Sequence, residues 1–211
     1  MIRVLPLLLL GCAKDDGGDS VIEGSIALPE YGESAEVLWD QAFFTVSDGT
    51  MLAFITGVSG ASCSEVSSFL STSDGPTEKE GIYDGGGCVM TVKVADWTGD
   101  YDASWPSDSS NWNPAVDSSV WCEFGDGEWV LGTNNSGRED YYWSGTTWAG
   151  HPSAFEWSFQ EDGDSLSLQM DMSAYDGNLI YESQGEVEAS GAVKGAVRAR
   201  SCSGMENASV L

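Results

Sequence analysis

The acidic side chains are the first candidates for chemistry, because carboxylate oxygens in loops are the ligands that calcium takes. Two stretches concentrate them, "GDYDASWPSD" and "QEDGDS". The candidate ligands are Asp100, Asp102 and Asp108 in the first stretch and Glu161, Asp162 and Asp164 in the second. Neither stretch has the spacing of an EF-hand, since the first lacks its glycine and the second is too compact. Acidic hairpin tips are usually solvated turns, so we expect no cofactor and keep calcium as the one metal to weigh.

Catalytic chemistry has little support in the sequence. The only histidine, His151, precedes a proline in "TWAGHPSAF", which is typical of a turn, and no G-x-S-x-G motif accompanies it. Glycoside hydrolysis needs two carboxyl groups across a cleft, but 34 acidic residues do not single out a pair. The sequence therefore nominates no catalytic residue, and we expect a protein that is not an enzyme.

Tryptophan is abundant, with nine residues. Four of them lie in or beside segments rich in Gly, Ser and Asn, and we consider these as ligand-stacking residues: Trp105, Trp112, Trp143 and Trp148. Indole faces next to carboxylates and amides stack on sugar rings, and they also anchor protein partners. The alternative is that these rings fold back over the core, as expected for the tryptophans in strand-like runs.

The N-terminal stretch "MIRVLPLLLLGC" ends a short apolar run at a cysteine. A run of this length cannot cross a bilayer, which needs about 20 residues, but it suits a signal peptide. The segment Leu9-Leu10-Gly11-Cys12 resembles the lipobox of bacterial lipoproteins, departing only in Leu10 at the tolerant middle position. The resemblance implies that residues 1–11 are cleaved and that Cys12 carries diacylglycerol. Acyl chains worth about 0.8 kcal/mol per buried CH₂ would then attach the protein to a membrane.

The residues after Cys12 indicate the cellular location of the protein and the domain boundaries. Ala13 resembles the sorting pattern of outer-membrane lipoproteins, and "CAKDD" resembles an export signal to the cell surface. We therefore expect a lipid-anchored outer-membrane protein that is surface-exposed or faces the periplasm. The run "AKDDGGDS" contains nothing that can pack, which indicates a tether. The predicted organisation is a signal peptide over 1–11, the lipidated cysteine and flexible acidic tether over 12–34, and a single β-rich domain over 35–211.

The other four cysteines form an even set: Cys63, Cys88, Cys122 and Cys202. In a protein exported from the cytoplasm, this predicts two disulfides, and the sequence leaves all three possible pairings open. A zinc site is disfavoured, because no two of these cysteines have C-x-x-C spacing.

The charge balance excludes one class of partner. Eight Lys and Arg face 34 Asp and Glu, for a formal net charge of −26. Such a chain repels phosphate backbones, so nucleic-acid binding is not expected. Anionic headgroups also repel it, so the expected partner is the membrane through the lipid anchor. A protein or a polysaccharide of the cell envelope is a further candidate.

The rest of the chain is typical of β structure. Asp48-Gly49, Asp126-Gly127 and Asp162-Gly163 separate runs of apolar, β-branched and aromatic residues, which predicts three hairpins. "CVMTVKVADW" reads as a strand, and "NLIYES", "GEVEAS" and "AVKGAVRARSC" read as three short strands, with Gly195 marking a close approach or bulge. The predicted fold is mostly β, an antiparallel β-sandwich or barrel-like domain.

One short helix interrupts the strands. Ser62 and Glu65 have the spacing of a capping box, and Val66, Phe69 and Leu70 follow at helical intervals, which predicts a helix near 63–71. The polar segment 98–119 reads instead as a long loop.

These features support three functions. The first is a lipid-anchored cell-envelope protein with a non-catalytic structural or protein-interaction role. The second is a glycan-binding lipoprotein that uses the loop tryptophans, and the third is an envelope hydrolase with unidentified acidic residues.

Overall fold

The structure is a computed structural model of the chain. It describes residues 20–29, 32–71, 88–105, 116–124, 127–134, 154–181 and 185–207. The strands are β1 (Ile22–Leu28), β2 (Glu33–Trp39), β3 (Gln41–Ser47), β4 (Thr50–Thr56), β5 (Cys88–Val94), β6 (Asp100–Trp105), β7 (Val116–Phe124), β8 (Gly127–Asn134), β9 (Ala154–Asp162), β10 (Ser165–Tyr181) and β11 (Gly185–Ser201). A helix, α1 (Cys63–Ser71), follows β4, and a 3-10 turn at Met205–Asn207 follows β11. None of the helices in these ranges is long and apolar enough to span a bilayer.

The strands form one mixed sheet that forks at β11. The main path runs β6-β9-β10-β11-β3-β4-β5-β7-β8. One edge of β11 pairs with β10, whereas the other pairs first with β1 and then, in parallel, with β3. β1 also pairs with β2. The sheet curls into a half-barrel, which confirms the predicted β-rich, sandwich- or barrel-like fold with one short helix.

The main core fills the inside of the curl. There β2 lies against β4, β5 and β7, so the fork folds back over the main path. Trp39 is buried between them, and its Nε1 donates a 2.5 Å hydrogen bond to the carbonyl of Cys88. Met90, Val92 and Val94 face the same core, as the alternation in "CVMTVKV" predicts. Burial of each large apolar side chain contributes about 1.5–3 kcal/mol.

A second core lies on the outer side of β3, β4 and β5, where α1 covers the sheet. Val66, Phe69 and Leu70 are buried there, and the Phe69 ring meets Phe54 edge-on with centroids 5.3 Å apart. This confirms the predicted helix and its apolar face.

The helix begins with the predicted capping box. The backbone N–H of Ser62 donates to Glu65 Oε2 at 2.8 Å, and the N–H of Glu65 donates to Ser62 Oγ at 3.4 Å. The Ser62 hydroxyl also donates to Glu65 Oε2 at 2.6 Å. These hydrogen bonds favour the ionised carboxylate, so they lower the pKa of Glu65 below its ordinary value.

The predicted tether over 12–34 extends too far. The structure places residues 22–28 in β1 and begins β2 at Glu33, so the sheet starts about a dozen residues before the predicted boundary. Ile22 and Ile26 are fully buried in the main core, while Glu23 is exposed. The two isoleucines are spaced by four, with glycine and serine between them, so the alternation is too sparse to stand out beside the acidic run.

The three short C-terminal strands are part of two long ones. "NLIYES" continues the strand that begins at Ser165, and "GEVEAS" continues into "AVKGAVRARS". Gly191 and Gly195 do not end the strand, because they allow close approaches within it. A Cβ at Gly195, where φ is +139°, would lie 2.1 Å from the carbonyl oxygen of Val21, which confirms the close approach expected there.

The hairpins occur at the predicted places, but two are centred one residue away. Asp48 and Gly49 both have positive φ, 50° and 75°, as a type I′ turn requires. At the next hairpin along β9 and β10, Asp162 pairs with Ser165, so Gly163 and Asp164 form the turn and Gly163 takes the positive φ. Phe124 likewise pairs with Gly127, which moves the β7–β8 connection to positions 125–126, outside the described residues.

The interpretation of 98–119 as one long loop is wrong at both ends. Residues 100–105 form β6, which pairs with β9, and β7 begins at Val116. The acidic and aromatic residues of "DYDASW" alternate, and only Tyr101 of the first three packs against the core. Low apolar content concealed the strand, because one face of it meets solvent.

Candidate interaction surface

The outward-facing side chains of β6, β9 and β10 form an exposed polar face, which we call the polar face. Its members are Asp100 and Asp102 on β6, Glu156, Ser158 and Gln160 on β9, and Ser167, Gln169 and Asp171 on β10. They lie in register across the strands, so that Asp100, Gln160 and Ser167 form one row. Carboxylates, amides and hydroxyls spread over about 10 Å of sheet can donate and accept hydrogen bonds along an extended partner.

Basic residues form a row on the adjacent strand. Lys194, Arg198 and Arg200 all point outward from β11 and are exposed, and they are three of the eight basic residues in the chain. The signal was present in "VKGAVRARS", because positions 194, 198 and 200 share one face of a strand. This row, which we call the basic stripe, is not among the predicted site residues.

The basic stripe is partly held in place by its neighbours. Arg200 lies over the Phe43 ring, 4.5 Å from its centroid, and donates to the carbonyl of Ala61 at 2.7 Å. Arg198 donates to Ser165 Oγ at 2.7 Å and lies 3.6 Å from the carboxylate of Asp162.

Lys194 lies between two carboxylates in the register of the sheet. Glu23 is its partner on β1 and Asp171 its partner on β10. All three side chains are exposed, so these cross-strand pairs contribute little to stability.

The calcium candidates do not converge among the residues that the structure describes. Asp100 and Asp102 are exposed on β6, and Asp108 lies outside the described residues. Within the described ranges, no group of three or more His, Cys, Asp or Glu side chains is arranged to hold a metal ion.

The second set of candidate ligands has other partners. Glu161 accepts a 2.7 Å hydrogen bond from the Nε1 of Trp97, and Asp162 is paired with Arg198. Asp164 is exposed at the hairpin turn. Glu161 therefore has a structural role that the acidic pattern did not indicate.

The proposed stacking residues are only partly covered by the structure. Trp105 ends β6, where its backbone pairs with Phe155 at the start of β9. Trp112, Trp143 and Trp148 lie outside the described residues, as does His151.

The four cysteines of the domain form two disulfides, as predicted, and the structure selects one of the three pairings. Cys63 at the start of α1 bonds to Cys202 after β11, and Cys88 on β5 bonds to Cys122 on β7. The second bridge joins residues directly opposite each other in an antiparallel pair and lies in the main core. Cys12, the proposed lipidation site, lies outside the described residues.

Comparison with known proteins adds no relative: no family model, no curated protein and no solved structure matches the chain.

Proposed function

We propose that the chain is a lipid-anchored protein of the bacterial cell envelope, attached to the outer membrane through Cys12, with a non-catalytic structural or protein-interaction role. The observation that carries the proposal is the use of the cysteines. Two disulfides take up Cys63, Cys202, Cys88 and Cys122, and of the five cysteines only Cys12 remains. Disulfides support an oxidising compartment outside the cytoplasm, and the remaining thiol is the one in the lipobox-like segment.

The exposed surface supports an interaction role. The polar face extends over three strands, and its described side chains do not include a buried acidic pair of the kind that acid–base catalysis uses. An extended hydrogen-bonding surface suits a protein or polymer partner better than a small substrate, which is usually enclosed in a concave and mostly apolar site.

The anchor is tested by fatty-acid labelling in a Gram-negative host. The native chain is expected to incorporate an alkyne-labelled fatty acid and to sediment with membranes, whereas Cys12→Ser should carry no label. Ala13→Ser is the matched control, because it keeps the cysteine and should keep the label. An unlabelled native chain, or a label that persists in Cys12→Ser, would contradict the proposal.

A second candidate is glycan binding, favoured by the position of Trp105. It ends β6, the strand at one end of the main path of the sheet. Tryptophan rings stack on sugar rings, which supports recognition of a sugar chain. Tryptophan fluorescence should change on titration with envelope polysaccharides, and Trp105→Ala or Trp112→Ala should remove the change. Trp39→Phe, at a buried core position, is the control that should preserve it.

A further inference from the structure

The chain leaves the sheet at a fixed point beside the basic stripe. The carbonyl of Val21 accepts a 3.2 Å hydrogen bond from the backbone N–H of Ala196, which is the last ladder contact before β1 begins. Ala196 is exposed on β11, and its neighbours on the same face are Lys194 and Arg198, each about 7 Å away along the strand. Ser20, the residue before Val21, is exposed.

The fork limits the space around the start of β1. Beyond Val21, the place beside β11 is taken by β3, since Ala199 pairs with Ala42. The inward side of β11 is closed by Val193 and Val197, which are buried in the main core. Ser20 and Val21, at the start of β1, therefore lie beside the exposed basic residues of β11.

The distance to the anchor is short. Ser20 lies eight positions after Cys12, and a fully extended chain over these eight steps spans at most about 28 Å. The proposed lipid thus keeps Ser20, beside the outer face of β11, within about 28 Å of the membrane.

The charge distribution then favours one orientation. The whole chain carries −26, so anionic headgroups repel most of its surface. The basic stripe is repelled least, because it holds three of the four Lys and Arg residues in the described ranges and their charges offset those of the neighbouring carboxylates. The carboxylates beside it are Glu23 and Asp171, opposite Lys194, and Asp162, next to Arg198. Charges further away act weakly, since the Debye length is about 8 Å at physiological ionic strength.

We propose that the basic stripe is a membrane-facing surface, which holds the outer face of β11 against anionic phospholipid headgroups at the foot of the lipid-anchored chain. The proposal rests on the proposed function, because it requires the lipid at Cys12. The lipid provides the attachment, and the stripe sets the orientation of the domain.

The test uses the full lipidated chain in vesicles and a neutral, membrane-impermeant amine reagent, read by mass spectrometry. The ratio of the labelling rates of Lys194 and Lys93 reports the orientation, because Lys93 lies on β5 and provides the internal reference. The ratio should fall by about threefold on vesicles with phosphatidylglycerol relative to pure phosphatidylcholine. It should recover in about 1 M NaCl, where the Debye length is ~3 Å.

Two variants with the same change in charge serve as controls for each other. Arg198→Gln removes one positive charge within the stripe, and Ser34→Asp adds one negative charge at an exposed position of β2. Only Arg198→Gln should reduce the difference in the Lys194 to Lys93 labelling ratio between the two vesicle types.

Three results separate the failures. A ratio that is equal on both vesicle types, in protein that carries the fatty acid, overturns the orientation and leaves the anchor intact. A Lys194 labelling rate that is low on both vesicle types and rises with salt would indicate that the acidic residues between Cys12 and Ser20 bind the stripe. This result also overturns the proposal. Protein without fatty acid, which does not bind either vesicle, contradicts the proposed function itself.

Discussion

The indole of Trp97 donates a 2.7 Å hydrogen bond to the carboxylate of Glu161, across 64 positions of sequence. Trp97 is buried, and its backbone N–H donates to the carbonyl of Gly49 in the β3–β4 turn. Glu161 in turn donates its backbone N–H to Gly99. The pair thus links the β3–β4 hairpin, the connection before β6 and the end of β9.

Glu161→Ala is expected to lower the free energy of unfolding by about 1.5–3 kcal/mol, because it leaves the buried indole N–H without its charged acceptor. Glu161→Gln keeps an oxygen acceptor and should lower the free energy of unfolding by a smaller amount. The measurement is urea denaturation followed by fluorescence. The control is Glu156→Ala on the same strand, an exposed position where about 0.5 kcal/mol or less is expected. Equal losses in the two alanine variants would argue against the link.

Gly195→Ala should destabilise the domain by about 3 kcal/mol or more, since the new Cβ would overlap the backbone oxygen of Val21 at 2.1 Å. Gly163→Ala is the matched comparison. It also has positive φ, at +61°, but no atom lies within 4 Å of the added Cβ, so only backbone strain of about 1–2 kcal/mol is expected. Thermal or urea unfolding distinguishes the two. A Gly163 variant as unstable as the Gly195 variant would contradict the close approach.

The two disulfides should differ in their contribution to stability. Their sequence separations are 139 and 34 residues, so the loop-closure model gives about 5 kcal/mol for Cys63–Cys202 and about 4 kcal/mol for Cys88–Cys122. Paired Cys→Ala variants at each bridge, compared by denaturation, measure the difference. Peptide mapping of unreduced protein should recover these two pairs, and a different pairing would refute the assignment.

The capping box should make the helix sensitive to acid. The hydrogen bonds from Ser62 lower the pKa of Glu65, so the ionised carboxylate stabilises the fold above the ordinary pKa of a glutamate, and this contribution is lost as the pH falls through the lowered value. Glu65→Gln should therefore be less stable than the native chain at neutral pH and equally stable in strong acid. Denaturation over this pH range tests the convergence, with Glu36→Gln on an exposed strand position as the control for removing one carboxylate. A difference in stability between Glu65→Gln and the native chain that stays constant at every pH would contradict this role of the ionised carboxylate.

Local patterns in the sequence predict the parts of this fold that local interactions determine. The helix at 63–71 follows from the capping box and three apolar residues, and the Asp48-Gly49 turn follows from its need for positive φ. Alternation alone predicts the inward face of β5. Each of these depends on residues close together in the chain.

The parts that were mispredicted depend on distant neighbours. Gly191 resembles a strand end, yet it lies within β11 because β1 approaches the backbone there. The polar sequence of β6 resembles a loop, because its pairing partner β9 lies 50 to 60 positions away in sequence. The basic stripe lies beside the start of β1 only because of the fork, which brings Val21 next to Ala196.

The fork also determines how the domain would carry a mechanical load. β1 is held between β2 and β11, and both ladders are antiparallel to it. A force applied to the chain ahead of Val21 would act along the axis of β1, so both ladders would resist in shear and their hydrogen bonds would have to break together. The glycines that admit the close approach of the strands leave no room for β1 to slide, so β1 is held firmly against a pull at its N-terminal end.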